Sequence, residues 1–128
     1  MNADSYTEIA QLLARYCHIV DEAAWERLGE IFTDDGSMTV AGIHDAHRGL
    51  GELRVLYAEK MKHPLAHHST SVVLLDGDEV RASVVSKWIT VRLDGGAGTG
   101  VYRDELVRID GAWRILTRVA TPGRQPSV

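Results

Sequence analysis

The chain has a single cysteine, Cys17, so no internal disulfide can form and nothing requires an oxidising compartment. No run of 18 apolar residues occurs, and a helical membrane span is therefore not expected. Met1-Asn2-Ala3-Asp4 leads directly into an amphipathic pattern, without the basic start and apolar run of a signal peptide, so the expected address is cytoplasmic. Lys and Arg are scattered and the formal net charge is -4. Phosphate binding needs clustered cations that release counterions, so nucleic acid is not an expected partner. Repeats and low-complexity linkers are also missing. What is present, 128 residues with 45% hydrophobic and 25% charged content, suits one domain spanning 1–128 around one core.

The first half carries helical spacing. Ser5-Tyr6-Thr7-Glu8 reads as a capping box opening a first helix. At about 100° per residue, Ile9, Leu12, Leu13, Tyr16, Ile19 and Val20 share its inner face, with Arg15 and His18 opposite. Asp21-Glu22 suits the positive end of a second short helix whose apolar stripe is Trp25, Leu28, Ile31 and Phe32. Thr33-Asp34-Asp35-Gly36 breaks it, Ser37 to Ala41 reads as a short strand, and Gly42 to Gly49 as a polar loop. A third helix is expected from Gly51 to about Met61, with Leu53, Leu56 and Tyr57 inward and His63-Pro64 as its stop.

The second half alternates instead. Four strands are expected at Ala66 to Leu75, Glu79 to Leu93, Thr99 to Ile109 and Ala112 to Ala120. They are separated by Asp76-Gly77-Asp78, Asp94 to Gly98, and Asp110-Gly111, and Asp-Gly is a strong hairpin signal. Val80, Ala82 and Val84 keep one parity while Val85, Ile89, Val91 and Leu93 keep the other, which predicts a bulge in that long strand and a bent sheet. Thr121 to Val128 is expected to be a loose tail. The fold class is α+β.

The order of these elements, together with Tyr16, Asp21-x3-Trp25-x2-Leu28, Ile31-Phe32-x-Asp34-Asp35-Gly36, His67-His68, Tyr102-x-Asp104 and Gly111-x-Trp113-Arg114-Ile115, resembles the SnoaL-like group of the nuclear transport factor two-like superfamily. The resemblance spans Ser5 to Ala120. It implies a cone, in which three helices close a curled sheet over a deep pocket, and a homodimer formed through the convex sheet face. It implies relatives as different as polyketide cyclases, scytalone dehydratase, ketosteroid isomerase, limonene epoxide hydrolase and non-catalytic binders, so fold does not settle function.

Enolisation, dehydration or isomerisation of a carbonyl compound needs a base and a donor for the developing negative oxygen, and no cofactor. By resemblance to scytalone dehydratase, Asp21 would orient a histidine base, although as a helix cap it would have a purely structural role. The same resemblance favours His68 as that base. Strand alternation sends His67 and His68 to opposite faces, and a one-residue shift would exchange them. The second pocket histidine of the dehydratase falls at Thr90 here, so scytalone itself is not the expected substrate. Arg103-Asp104 are adjacent, not on one face as the epoxide hydrolase pattern requires.

Tyr16 and Tyr102 are the candidate oxyanion donors, or simply core rings. Asp104 shares a strand face with Tyr102 and is a reserve acid or base. Trp25, Met38, Tyr57, Trp88 and His67 are candidate lining for an apolar pocket, or ordinary core. His44-x-x-His47, with His63, His67 and His68, lacks the tight spacing of strong metal sites, so no metal is expected. Gly95-Gly96-Ala97-Gly98 joins two strands and is no phosphate loop. Cys17 reads as a packed thiol. The residues together lead to a cofactor-independent lyase, isomerase or cyclase acting on a small apolar oxygenated ring compound, with a binding or assembly domain as the alternative.

Overall fold

The structure, a computed structural model, describes residues 2–61 and 66–123. Helix α1 runs over Ala3–Asp21 and buries Ile9, Leu12, Leu13, Tyr16, Cys17, Ile19 and Val20, the face its spacing predicts. Its cap differs from the expected box. Asn2 Oδ1 accepts from the Ser5 amide at 2.9 Å, while the Ser5 hydroxyl and Glu8 carboxylate both receive Arg108. Ser5 and Glu8 thus tie α1 to the sheet.

Asp21 ends α1 rather than opening a second helix. The chain next forms a 3-10 turn, Trp25–Glu30, with no side-chain cap. Strand β1 then covers Phe32–Val40, so Thr33 to Gly36 is not a break but an irregular stretch of strand, where the pairing with the last strand slips between Phe32 and Ser37. The expected 42–49 loop contains a further strand, β2 at His44–Arg48, paired antiparallel to β1. Backbone pairing along an exposed sheet edge needs no apolar alternation, and that is why the polar sequence concealed it. Helix α2, Leu50–Val55, continues as a π turn over Leu56–Lys60, in which the Met61 amide reaches back to the Leu56 carbonyl at 2.9 Å. The expected stop at His63-Pro64 lies outside the described residues.

The four later strands are β3 Ala66–Gly77, β4 Arg81–Val91, β5 Ala97–Ile109 and β6 Ala112–Pro122. Strand β6 therefore takes in Thr121 and Pro122, the start of the expected tail; 124–128 lie outside the described residues. Among the described residues, six strands form one sheet in the order β2-β1-β6-β5-β4-β3, with β1 and β6 the one parallel pair. The Asp110-Gly111 turn has both residues at positive φ, 51° and 79°, which matches the twist of the flanking strands.

The expected bulge in β4 is absent, since β4 pairs with β5 without interruption. Ala82, Val84 and Ser86 are buried and Trp88 and Thr90 half-buried on the inner face, whereas Val85, Ile89 and Val91 form an apolar outer face. That outer face produced the apparent change of phase. The irregularities sit on β3, between Thr70 and Val73 and between Leu74 and Asp76, and on β6 opposite Glu105 and Leu106. Extra residues there bend the sheet over α1.

Candidate active site

The inner faces of β1, β3, β4, β5 and β6, with α1, the 3-10 turn and the π turn, line a half-open cavity of about 110 Å³. Its wall is formed by Tyr16, Val20, Trp25, Met38, Val40, Tyr57, Met61, His67, Trp88, Thr90, Tyr102 and Ala120. Every side chain proposed from sequence as apolar lining is among them. Two aromatic pairs fix its shape. Trp25 stacks on Tyr57 with centroids 5.8 Å apart, and Trp88 lies 4.5 Å from Tyr102.

The structure corrects the choice between the two histidines. His67 pairs with Thr90 and is buried at 3% exposure, while His68 pairs with Ile89 and faces outward. The register set by β4, whose even-numbered residues point inward, decides this. His68 and Asp21 instead line a second pocket, together with Cys17, His18, His67 and Ser69.

His67 is held on both sides. Its backbone amide donates to Asp21 Oδ2 at 3.2 Å, and its Nδ1 lies 3.8 Å from Asp21 Oδ1 with no hydrogen bond of its own. Its Nε2 is 3.1 Å from the Tyr102 hydroxyl and 3.6 Å from Cys17 Sγ. The Tyr16 ring meets the imidazole edge-on at 5.5 Å. Burial first, then the charge of Arg118 and His68, lower the His67 pKa to about 4, so the ring is neutral near pH 7. In the tautomer whose Nε2 accepts from Tyr102, the proton sits on Nδ1, the nitrogen on the Asp21 side of the ring.

Arg118 is the residue that sequence reasoning missed. It is fully buried and makes two hydrogen bonds to Asp104, Nε to Oδ1 at 2.7 Å and Nη2 to Oδ2 at 2.9 Å. Asp104, expected as a spare acid or base, is instead consumed by this bidentate pair. The guanidinium lies 3.7 Å from the Tyr102 ring centroid and 4.3 Å from that of Tyr16. Burial alone would lower the Arg118 pKa, but Asp104 and the two rings outweigh it and hold it well above its ordinary value. Plain alternation from Trp113 and Ile115 puts Thr117 and Val119 inside. The extra residue in β6 shifts the phase and brings Arg118 and Ala120 in.

The tyrosines keep their protons. Burial raises the pKa of Tyr16, Tyr57 and Tyr102, and Arg118 partly offsets this at each. Tyr16 and Tyr57 share a 2.7 Å hydrogen bond between hydroxyls. Burial pushes the Cys17 thiol up to about 11, consistent with a packed thiol rather than a nucleophile. Among the described residues no group of three or more His, Cys, Asp or Glu side chains is placed to hold a metal ion, and no helix is long and apolar enough to cross a membrane.

Comparison with known proteins places this arrangement in a family, for the SnoaL-like domain matches residues 1–119. The chain belongs to the SnoaL-like family. No curated protein sequence matches it. Among solved structures, this SnoaL-like chain is similar to a protein of unknown function with a cystatin-like fold from Nostoc punctiforme PCC 73102, at 21% identity and TM-score 0.86, covering 98% of this chain and 96% of that one. A protein of unknown function from Mycobacterium tuberculosis is 27% identical, with TM-score 0.81 over 94% of this chain and 73% of its own. Hexachlorocyclohexane dehydrochlorinase from Novosphingobium barchaimii LL02 is 20% identical, with TM-score 0.76 over 94% and 88%. These likenesses establish the SnoaL-like chain's fold, an NTF2-like curved sheet with helices at the N-terminus.

Proposed function

We propose that the protein is a cofactor-independent acid-base enzyme, a dehydratase, isomerase or cyclase, acting on a small apolar oxygenated ring compound. The observation that carries this reading is a neutral, buried His67 set between the Asp21 carboxylate and an apolar cavity. In the reaction, the Tyr102 hydroxyl turns its proton from His67 Nε2 to the carbonyl oxygen of the substrate, and the freed Nε2 takes a proton from the carbon next to that carbonyl. The electron pair of that C–H bond moves into the enolate, and a tyrosine hydroxyl holds the oxygen that gains charge. Asp21 stabilises the imidazolium through Nδ1–H. Its present 3.8 Å separation shortens by about 1 Å to a charge-assisted hydrogen bond, a tightening usual between the free and substrate-bound states of such pairs.

The test is exchange of the α-protons of cyclohexanone in D2O, followed by proton NMR. Expected is catalysed exchange that falls roughly 10²–10⁴-fold in H67Q, the range for removing a general base. D21N falls less, and H68Q stays close to wild type. Exchange that survives H67Q unchanged overturns the reading.

A non-catalytic ligand-binding or dimeric assembly domain is the second reading. It is favoured by the contact between Nε2 and Tyr102 and by the lowered basicity of His67. We also propose a homodimer through the outer sheet face, where Val73, Ile89 and Val91 are exposed.

A further inference from the structure

Cations that are scattered along the sequence are gathered in one part of the fold. Arg15 of α1, Arg27 of the 3-10 turn and Arg114 of β6 all act on Glu30, and Arg108 of β5 reaches Glu8. Both carboxylates are already taken. Glu30 receives Arg27 at 2.8 and 3.2 Å, and Glu8 receives Arg108 at 3.0 Å. Arg15 makes no hydrogen bond or ion pair among the described residues. Arg114 gives Nε to the Gly29 carbonyl and Nη1 to that of Trp113, and its Nη2 has no partner among the described residues. Arg15 and Arg114 are therefore left without a carboxylate of their own.

These two arginines line one recess. With Gln11, Trp113 and the Gly111-Ala112 turn they bound a half-open space of about 190 Å³ between α1 and the start of β6. Glu8, the one carboxylate in that wall, is the one held by Arg108. Trp113 is 3% exposed, and its Nε1–H has no hydrogen-bond partner among the described residues. The Arg108 guanidinium lies 4.9 Å from the centre of the same indole, and a cation over the ring draws electron density from it and strengthens the N–H as a donor. A buried donor without an acceptor is costly. Positive charge and N–H donors are thus both in excess in this wall, and an anion rich in acceptor oxygens supplies what each lacks.

We propose that the recess binds the phosphate group of a phosphate monoester. Near pH 7 such a group carries about 1.5 to 2 negative charges and three strong acceptor oxygens, which suits two guanidinium groups and one indole N–H. The planar fork of arginine fits phosphate oxygens in pairs. One recess, without a row of cations leading away from it, takes a single phosphate group and not the backbone of a nucleic-acid strand. The site is separate from the cavity. Trp113 and the cavity residue Ala120 stand seven residues apart on β6, roughly 20 Å at about 3.3 Å per residue. The proposal is independent of the acid-base reading.

The experiment is a titration of the 15N-labelled protein at low ionic strength with inorganic phosphate, following the indole Nε1–H signal of Trp113. Phosphate is expected to move that signal, and acetate, with a single charge, to bind roughly tenfold more weakly, the size of one hydrogen bond to a charged group. R15Q breaks no contact among the described residues and is expected to weaken phosphate by about the same factor. Phosphate should also raise the Tm of the wild type more than that of R15Q, because a ligand held between α1 and β6 binds only the folded chain. Co-sedimentation with vesicles of phosphatidylcholine and phosphatidic acid separates two sources of the group. Pelleting that R15Q abolishes marks a lipid headgroup, and phosphate binding without pelleting marks a soluble ester. A Trp113 signal that phosphate leaves in place, equal affinity for phosphate and acetate, or a phosphate affinity unchanged in R15Q overturns the proposal.

Discussion

A buried neutral histidine ties stability to pH. His67 has a folded pKa of about 4 against 6.5 for a free imidazole, so between those values the unfolded chain binds a proton that the folded one does not. Its contribution is fully present above pH 6.5 and is lost as pH falls through that window. At 1.36 kcal/mol per unit the loss is up to about 3 kcal/mol. Urea unfolding at pH 7 and pH 4 is expected to show that extra loss in the wild type relative to H67Q. Equal losses in the two would mean that the imidazole is not sealed from water. The Asp104–Arg118 pair, 0% exposed on both side chains, makes a different prediction. D104N leaves the guanidinium buried and uncompensated and is expected to cost ~3–5 kcal/mol, whereas replacing both residues, D104L with R118M, costs less because no lone charge remains. Denaturant midpoints of the single and double variants check the order. Neither this pair nor the choice of His67 was legible from residue identity. Both depend on strand phase, which one extra residue in β6 and the pairing of β3 with β4 determine.

At the scale of elements, the sequence was most readable where apolar periodicity and burial coincide. The face of α1 from Ile9 to Val20 and the ends of β4 and β5 were found within a few residues of their observed positions. It failed where the polar backbone itself makes the structure. The His44–Arg48 edge strand has no buried residue to mark it, and the Asn2 cap needs no capping box. Strand β4 shows a subtler failure, since apolar side chains on both faces conceal which face is inside. The pairing of β4 with β5 also gives one glycine a definite task. Gly100 stands opposite Trp88, and a Cβ there would overlap the indole and crowd the Thr121 carbonyl. Trp88 can lie flat across β5 as a cavity wall only over a residue with no side chain. G100A is expected to cost ~1–3 kcal/mol by overpacking and to push the indole into the cavity. Thermal unfolding and slower α-proton exchange of cyclohexanone would show both effects. Unchanged stability would mean that the strands part easily at that point.

At the scale of the whole molecule, family membership was recognisable from the order of short motifs, because the NTF2-like architecture is a sequence of elements more than a set of invariant atoms. The outer sheet face makes the prediction proper to this scale. Ile89 and Val91 are 47% and 36% exposed and share that face with half-buried Val85 and Val101. Pairing two such faces removes apolar surface from water at roughly 25 cal/mol per Å². Sedimentation at micromolar concentration is expected to give a dimer, and I89K is expected to give a monomer. A wild-type monomer would show that this face is not the partner surface.

The ring cluster around Tyr16 has an optical consequence. Phe32, Tyr57, His67 and Tyr102 each meet Tyr16 edge-on within 6.3 Å, and Trp88 lies against Tyr102. Chromophores locked in this asymmetric arrangement give the near-ultraviolet circular dichroism that liquid-like cores lack. His67 sits at the edge of the cluster, so acid that charges the imidazole dismantles the arrangement before it breaks the sheet. The aromatic bands should therefore fade at a higher pH than the peptide bands, and the cavity would report its own loss in advance of the fold.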